Sequence, residues 1–173
     1  MRALPLFLLV IVGCHSTGGR AEPETSETLG DSLVLERTVC FGFCPQYRVS
    51  IARGGQVRFE SRNPQDSGRV AEAVANPGAV DSLFGRAATL NLDSLPPRLM
   101  GQSPYCKLVA TDMPTAIISW YRPGGAVRVE DYQGCFVRND SSATHVIQRL
   151  RDFEAALDSV AGTARWITKP TRR

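Results

Sequence analysis

Residues Tyr47 to Ser61 read Y-R-V-S-I-A-R-G-G-Q-V-R-F-E-S, and the register of this stretch decides the fold. Tyr47, Val49 and Ile51 recur at every second position, and Val57 and Phe59 do the same beyond Gly54-Gly55. Period two is the mark of a half-buried strand, so the stretch reads as a hairpin. A two-residue turn at Gly54-Gly55 would pair Ile51 with Arg58 and put the two apolar sets on opposite faces. A three-residue loop, Arg53-Gly54-Gly55, pairs Ile51 with Val57 and Val49 with Phe59 on one face. A one-residue slip inverts every side chain, so burial of a single face selects the three-residue loop, with a glycine at positive φ.

The neighbouring segments extend this pattern. After Asp31, S-L-V-L-E-R-T-V-C reads as an opening strand. Asn76-Pro77 has the form of an N-cap followed by proline at the first helical position. Val80, Leu83, Phe84 and Ala87 then follow with the spacing of a buried helical stripe, and Pro96-Pro97 closes that section. A loop with Cys106 and T-D-M-P-T leads into A-I-I-S-W-Y-R-P-G-G-A-V-R-V-E-D-Y. Pairing Trp120 with Val127 and Ile118 with Val129 keeps one apolar face continuous around its Pro-Gly-Gly turn. The closing helix takes a cap from Asn139–Ser142 and buries Val146, Leu150, Phe153, Leu157 and Val160. Arg149, Arg151, Asp152 and Asp158 lie elsewhere on it, and Gly162 ends it. This order predicts an α+β domain: an antiparallel sheet of two hairpins, four to five strands in all, with two helices packed on one face.

A chain of 173 residues, 43% hydrophobic and 21% charged, suffices for one domain with a real core. The net charge of +3, with no basic helix and no basic–aromatic interleaving, argues against nucleic-acid binding. Met1-Arg2 precedes the apolar run A-L-P-L-F-L-L-V-I-V, Ala3 to Val12, and then Gly13-Cys14. Such a run is too short for a hydrocarbon core of about 30 Å and reads as the h-region of a signal peptide, residues 1–13. The I-V-G-C at its end resembles a bacterial lipobox, which makes Cys14 the lipidation site and the first residue of the mature chain. Two or three acyl chains anchor a protein stably. His15, rather than an aspartate, at the second mature position points to the outer membrane of a two-membrane bacterium. Residues 14–31 read as a polar tether, residues 32–162 as the folded domain, and residues 163–173, with Arg165, Lys169, Arg172 and Arg173, as a basic tail.

With Cys14 set aside, Cys40, Cys44, Cys106 and Cys135 remain, an even number in an exported chain. Four residues of extended strand would hold Cys40 and Cys44 about 13 Å apart, so a bond between them requires a fold-back at Phe41-Gly42-Phe43, which Gly42 permits. Cys135 falls opposite Asp112 when the second hairpin's register is extended, and a Cys106–Cys135 bond would clasp the loop over the hairpin ends, a stabilisation of about 2–4 kcal/mol. The pairing 40–44 with 106–135 is favoured, and the crossed pairings between the two hairpins stay open.

C-F-G-F-C-P-Q-Y-R-V, then G-G-x-V, T-D-M-P-T and Y-x-G-C, resembles an uncharacterised bacterial family, domain of unknown function 6438, often found in lipoproteins. Cys40, Gly42, Cys44, Pro45 and Tyr47 carry the opening motif; Asp112, Pro114 and Cys135 carry the later ones. The resemblance runs from about Leu33 to Asp158. It implies a compact exported domain and supplies no activity.

C-x-x-x-C-P also resembles the motif of copper-delivering thioredoxin-like proteins, with His145 as the one histidine at hand; two thiolates and an imidazole suit Cu(I). In those proteins a helix start follows the motif and activates the thiols, whereas Q-Y-R-V-S-I here has strand periodicity. There is no G-x-S-x-G, H-E-x-x-H or phosphate loop. The expectation is therefore a non-catalytic, lipid-anchored envelope module with no metal and no cofactor, bound to the membrane by its lipid and to an unidentified envelope protein or component. Tyr47, Asp112 and Asp131 are its candidate binding residues. The alternatives are a thiol–disulfide or copper-handling protein using Cys40 and Cys44, and an inhibitor-like envelope module.

Overall fold

The computed structural model describes residues 30–101 and 103–168. The expected leader, Cys14 and the expected tether before residue 30, with Lys169, Arg172 and Arg173, lie outside the described residues. The opening strand, β1 (Ser32–Arg37), is the centre of the sheet. On one side it pairs antiparallel with β2 (Tyr47–Ala52), which pairs with β3 (Gln56–Ser61) and through it with β4 (Val70–Val74). On the other side it pairs with β7 (Thr115–Arg122), followed by β8 (Gly125–Tyr132) and a parallel two-residue edge, β5 (Arg98–Leu99). A separate ladder joins β6 (Leu108–Val109) to β9 (Cys135–Phe136).

The hairpin registers follow from burial as expected. Ile51 faces Val57 and Val49 faces Phe59, Gly55 takes φ 90°, and its N–H donates to Ala52 O at 2.9 Å. Trp120 faces Val127 and Ile118 faces Val129. One face of β1, β2, β3 and β7 thereby lines up Leu33, Leu35, Val49, Ile51, Val57, Phe59 and Ile118 in a single core. Helix α1 (Pro77–Leu90) adds Val80, Leu83, Phe84 and Ala87 to that core, and Asn76 Oδ1 caps it by accepting from Ala79 N at 3.1 Å. Truncating a fully buried side chain of this kind, such as Leu150 on helix α2 (Ser141–Ala161), costs about 2–5 kcal/mol.

Four expectations need correction. The sheet has seven strands, not four to five. In β4, R-V-A-E-A-V-A, the inward positions are Ala71 and Ala73, too small to give an alternating signal, while β5 is only two residues long. Helix α2 is rotated from the expected stripe: Ala143, Ile147, Glu154 and Ala161 join Leu150, Phe153 and Leu157 inside, and Val146 and Val160 are only half-buried. Glu154 turns inward because a guanidinium of the sheet requires a partner there. The fold does not stop at Gly162, since Thr163–Arg165 forms a 3-10 turn with Thr163 buried, and the Trp166 ring lies 5.3 Å from Phe59. Lastly, Cys135 faces Val109 rather than Asp112. Asp112, at φ 66°, turns the chain out of register with the hairpin and frees Leu108-Val109 to form the small ladder.

That crossing of chains explains the glycine of Y-x-G-C. Ala110 N donates to Gly134 O at 2.8 Å, and a Cβ on Gly134 would lie 2.2 Å from Ala110 O. Gly134→Ala is expected to destabilise the fold by about 1–3 kcal/mol, measured by urea unfolding. An unchanged midpoint would contradict this packing.

Candidate binding surface

β1 ends, β2 begins, β7 begins and β8 ends at one pole of the sheet, opposite the turns of the two hairpins. The cysteines gather at this pole. Cys40 is bonded to Cys44 with their Cα atoms 5.6 Å apart, and Cys106 to Cys135 at 5.2 Å. Gly42, at φ 111°, makes the fold-back inside the first loop, and a strand follows Cys44 rather than a helix.

The loops are stitched together by backbone hydrogen bonds. Thr38 N donates to Thr115 O at 3.1 Å, Phe41 N to Asp112 O at 3.0 Å, and Lys107 N to Phe136 O at 3.0 Å. Met113 N donates to the Tyr132 hydroxyl at 3.2 Å, and that hydroxyl donates to Ala110 O at 2.9 Å. The Cys40–Cys44 loop, the T-D-M-P-T turn and the small ladder thus form one continuous tip. It carries apolar side chains outward: Phe41 is 88% exposed, and Val39, Phe43, Met113, Leu108, Val109 and Phe136 are exposed with it, beside the polar Lys107, Thr111 and Asp112. These apolar side chains are gathered at one end of the domain rather than scattered over its surface.

Of the sequence candidates, only Asp112 lies at this tip. Tyr47 and Asp131 are inside, in a charged layer directly beneath it. Arg37, the last residue of β1, donates to Glu154 Oε2 at 3.0 Å and to Asp158 Oδ2 at 2.9 Å. The Tyr47 hydroxyl donates to Asp158 Oδ1 at 2.5 Å, and Thr163 Oγ1 donates to the same oxygen at 3.0 Å. Arg151 Nε donates to Asp131 Oδ2 at 3.0 Å, and Gln133 Nε2 bridges that oxygen, at 2.8 Å, to Glu154 Oε2, at 3.2 Å. Arg151 also donates to Cys135 O at 3.0 Å, which ties the layer to the second disulfide.

Tyr47 and Asp131 therefore lie in the interior rather than at the tip. Arg151 and Asp158, read from the sequence as lying off the buried stripe, belong to this layer as well. Burial, reinforced by the Asp158 charge, raises the Tyr47 phenol pKa and keeps its proton in place. Burial alone would lower the Arg37 pKa, but Asp158 and Glu154 outweigh it and raise it. The sequence signal for the tip was present but unread: Phe41 and Phe43 sit in a loop closed at Cys40 and Cys44, too short to return either ring to the core.

Three carboxyl groups, Asp131, Glu154 and Asp158, face two guanidiniums, Arg37 and Arg151, so one bound proton balances the layer. Glu154 and Asp131 are each only 1% exposed, and among the described residues Glu154 Oε1 and Asp131 Oδ1 have no hydrogen-bond partner. Burial, and then the Asp131 charge, push the Glu154 carboxyl from an ordinary 4.5 up to about 8, against the pull of Arg37. The folded chain then holds a proton that the unfolded chain has released. Its stabilising contribution is full below pH 4.5 and is lost as pH rises to about 8. Glu154→Gln is expected to flatten this decline in denaturant melts run across that range; an unchanged slope would place the proton elsewhere.

Residues 31–160 match the model of a family described as "Domain of unknown function (DUF6438)". No curated protein matches the chain. The matched span begins just before β1 and ends within the last turn of α2, so it covers the sheet, both disulfides, the tip and the charged layer. The chain belongs to the DUF6438 family.

Proposed function

We propose that this chain is a lipid-anchored, non-catalytic module of the bacterial cell envelope, and that it docks a partner protein through the disulfide-braced apolar tip. The observation that carries this reading is Phe41, 88% exposed on a loop that the Cys40–Cys44 bond closes and Asp112 O holds. A folded chain exposes such a ring at a cost in hydration, and a rigid loop lowers the entropy lost when the ring is buried by a partner. Aromatic anchors of this kind dominate binding energy in interfaces. Anchoring through Cys14 suits the geometry, because the chain enters the fold at the N-terminal end of β1, at the pole opposite the tip. The tip would then face away from the anchor and toward an envelope partner.

Two experiments test the two halves of the proposal. A photo-reactive phenylalanine analogue at position 41, in the membrane-bound full chain, is expected to give one discrete protein adduct. The adduct should disappear on Phe43→Ser, while stability shifts by no more than about 0.5 kcal/mol. An equal adduct from exposed position 86 on α1, or none from position 41, would contradict docking at the tip. Cys14→Ser is expected to move the chain from the membrane fraction to the soluble one, and continued retention would contradict the anchor.

A further inference from the structure

Strand β4 is one edge of the seven-stranded sheet, with the two-residue β5 at the other. Ser61 N donates to Arg69 O and Ala75 N to Gly55 O, so the residue pairs hydrogen-bonded toward β3 are 61–69, 59–71, 57–73 and 55–75. The N–H and C=O groups of Ala71 and Ala73 therefore point at β3, and those of Val70, Glu72 and Val74 point outward. Among the described residues, no backbone group hydrogen-bonds to that outer side of β4.

Natural edges are usually guarded by proline, lysine, a bulge or an inward charge. This one carries Val70, 42% exposed, Val74, 78% exposed, and a single charge, Glu72. On the face away from the helices, charges alternate from strand to strand: Glu36 faces Arg48, Arg48 faces Glu60, and Arg58 faces Glu72. Among the described residues Glu72 has its ion pair with Arg58, at 3.6 Å, and most of its side chain is in solvent. A cation on an added strand opposite Glu72 would complement its charge.

We propose that β4 accepts an extended peptide segment of another protein as an eighth strand, antiparallel, with a basic residue opposite Glu72 and apolar residues opposite Val70 and Val74. Main-chain hydrogen bonds to Val70, Glu72 and Val74 supply affinity, and the alternating side chains supply selectivity. A second copy of this chain fits less well. Antiparallel self-pairing that sets Val70 against Val74 places Glu72 opposite Glu72, and a five-residue edge buries far less than the roughly 800 Å² per partner of a stable interface.

The test uses the purified full chain and fluorescein-labelled peptides with Val-Thr-Lys-Thr-Val or Val-Thr-Glu-Thr-Val at their centres, followed by fluorescence anisotropy. The lysine peptide is expected to bind about three- to tenfold more tightly. Glu72→Lys should reverse the preference. Val74→Pro, which removes an outward N–H and leaves the bonds to β3 intact, should abolish binding of both peptides at unchanged thermal stability. Absence of binding, or a preference that Glu72→Lys leaves untouched, would overturn the proposal. So would a concentration-dependent dimer abolished by Val74→Pro, which would give the edge to a second copy. Thr168 Oγ1 donates to Asp66 at 2.7 Å, just before β4. Binding that appears only after residues 169–173 are deleted would therefore give the edge to the chain's own tail, and would also overturn the proposal.

Discussion

The central strand ends in a charge inside the fold. Arg37 closes β1 between β2 and β7, its guanidinium is largely removed from water, and an unpaired buried cation would cost several kcal/mol. Everything at that pole answers this requirement. Helix α2 is turned so that Glu154 and Asp158 meet the guanidinium. Tyr47 and Thr163 complete Asp158, and Gln133 links Glu154 to the second ion pair, Asp131 with Arg151. The surplus carboxyl takes a proton, and the helix, sheet and loops become one electrostatic unit.

The molecule is consequently layered along β1. The middle is apolar, built from Leu33, Leu35, Val49, Ile51 and the facing sides of both helices. Beyond it lies the ionic layer, and beyond that the tip, where two disulfides and crossed loops hold Phe41, Phe43 and Met113 outward. The short loop closed by Cys40–Cys44 keeps Phe41 and Phe43 out of the core, and the charged layer lies directly beneath it. Disulfides alone would restrain the loops; the ionic layer gives them a fixed floor, through Arg151 and the carbonyl of Cys135. The exposed apolar side chains are then a stable product of the fold rather than a fraying loop.

The parts of this architecture set by local periodicity were legible in the sequence. Alternation around Gly54-Gly55 and Pro123-Gly124 gave both hairpin registers, and Asn76-Pro77 with Val80, Leu83, Phe84 and Ala87 gave α1 complete. Where long-range charge overrode periodicity, reading failed. Glu154 sits among Leu150, Phe153 and Leu157 with no local signal for its burial, because its partner Arg37 lies 117 positions away. Strand β4 was lost to its small inward alanines, and the pairing of Cys135 with Val109 to the turn at Asp112. Tyr47 opens β2 and Asp131 lies one residue from the end of β8, which is where the buried layer needs them. Phe41 and Phe43 have no periodicity of their own, and their exposure follows only from the closure of the loop at Cys40 and Cys44.

The account's central claim is that the ionic layer holds the tip in shape. The most direct measurement is amide hydrogen exchange in the oxidised full chain, compared with Arg151→Met. Exchange should quicken at Ala110 and Lys107, whose amides donate to Gly134 O and Phe136 O, while Val49 and Ile118 in the central sheet stay protected. Equal exchange in both proteins, or a uniform loss of protection throughout the sheet, would contradict it.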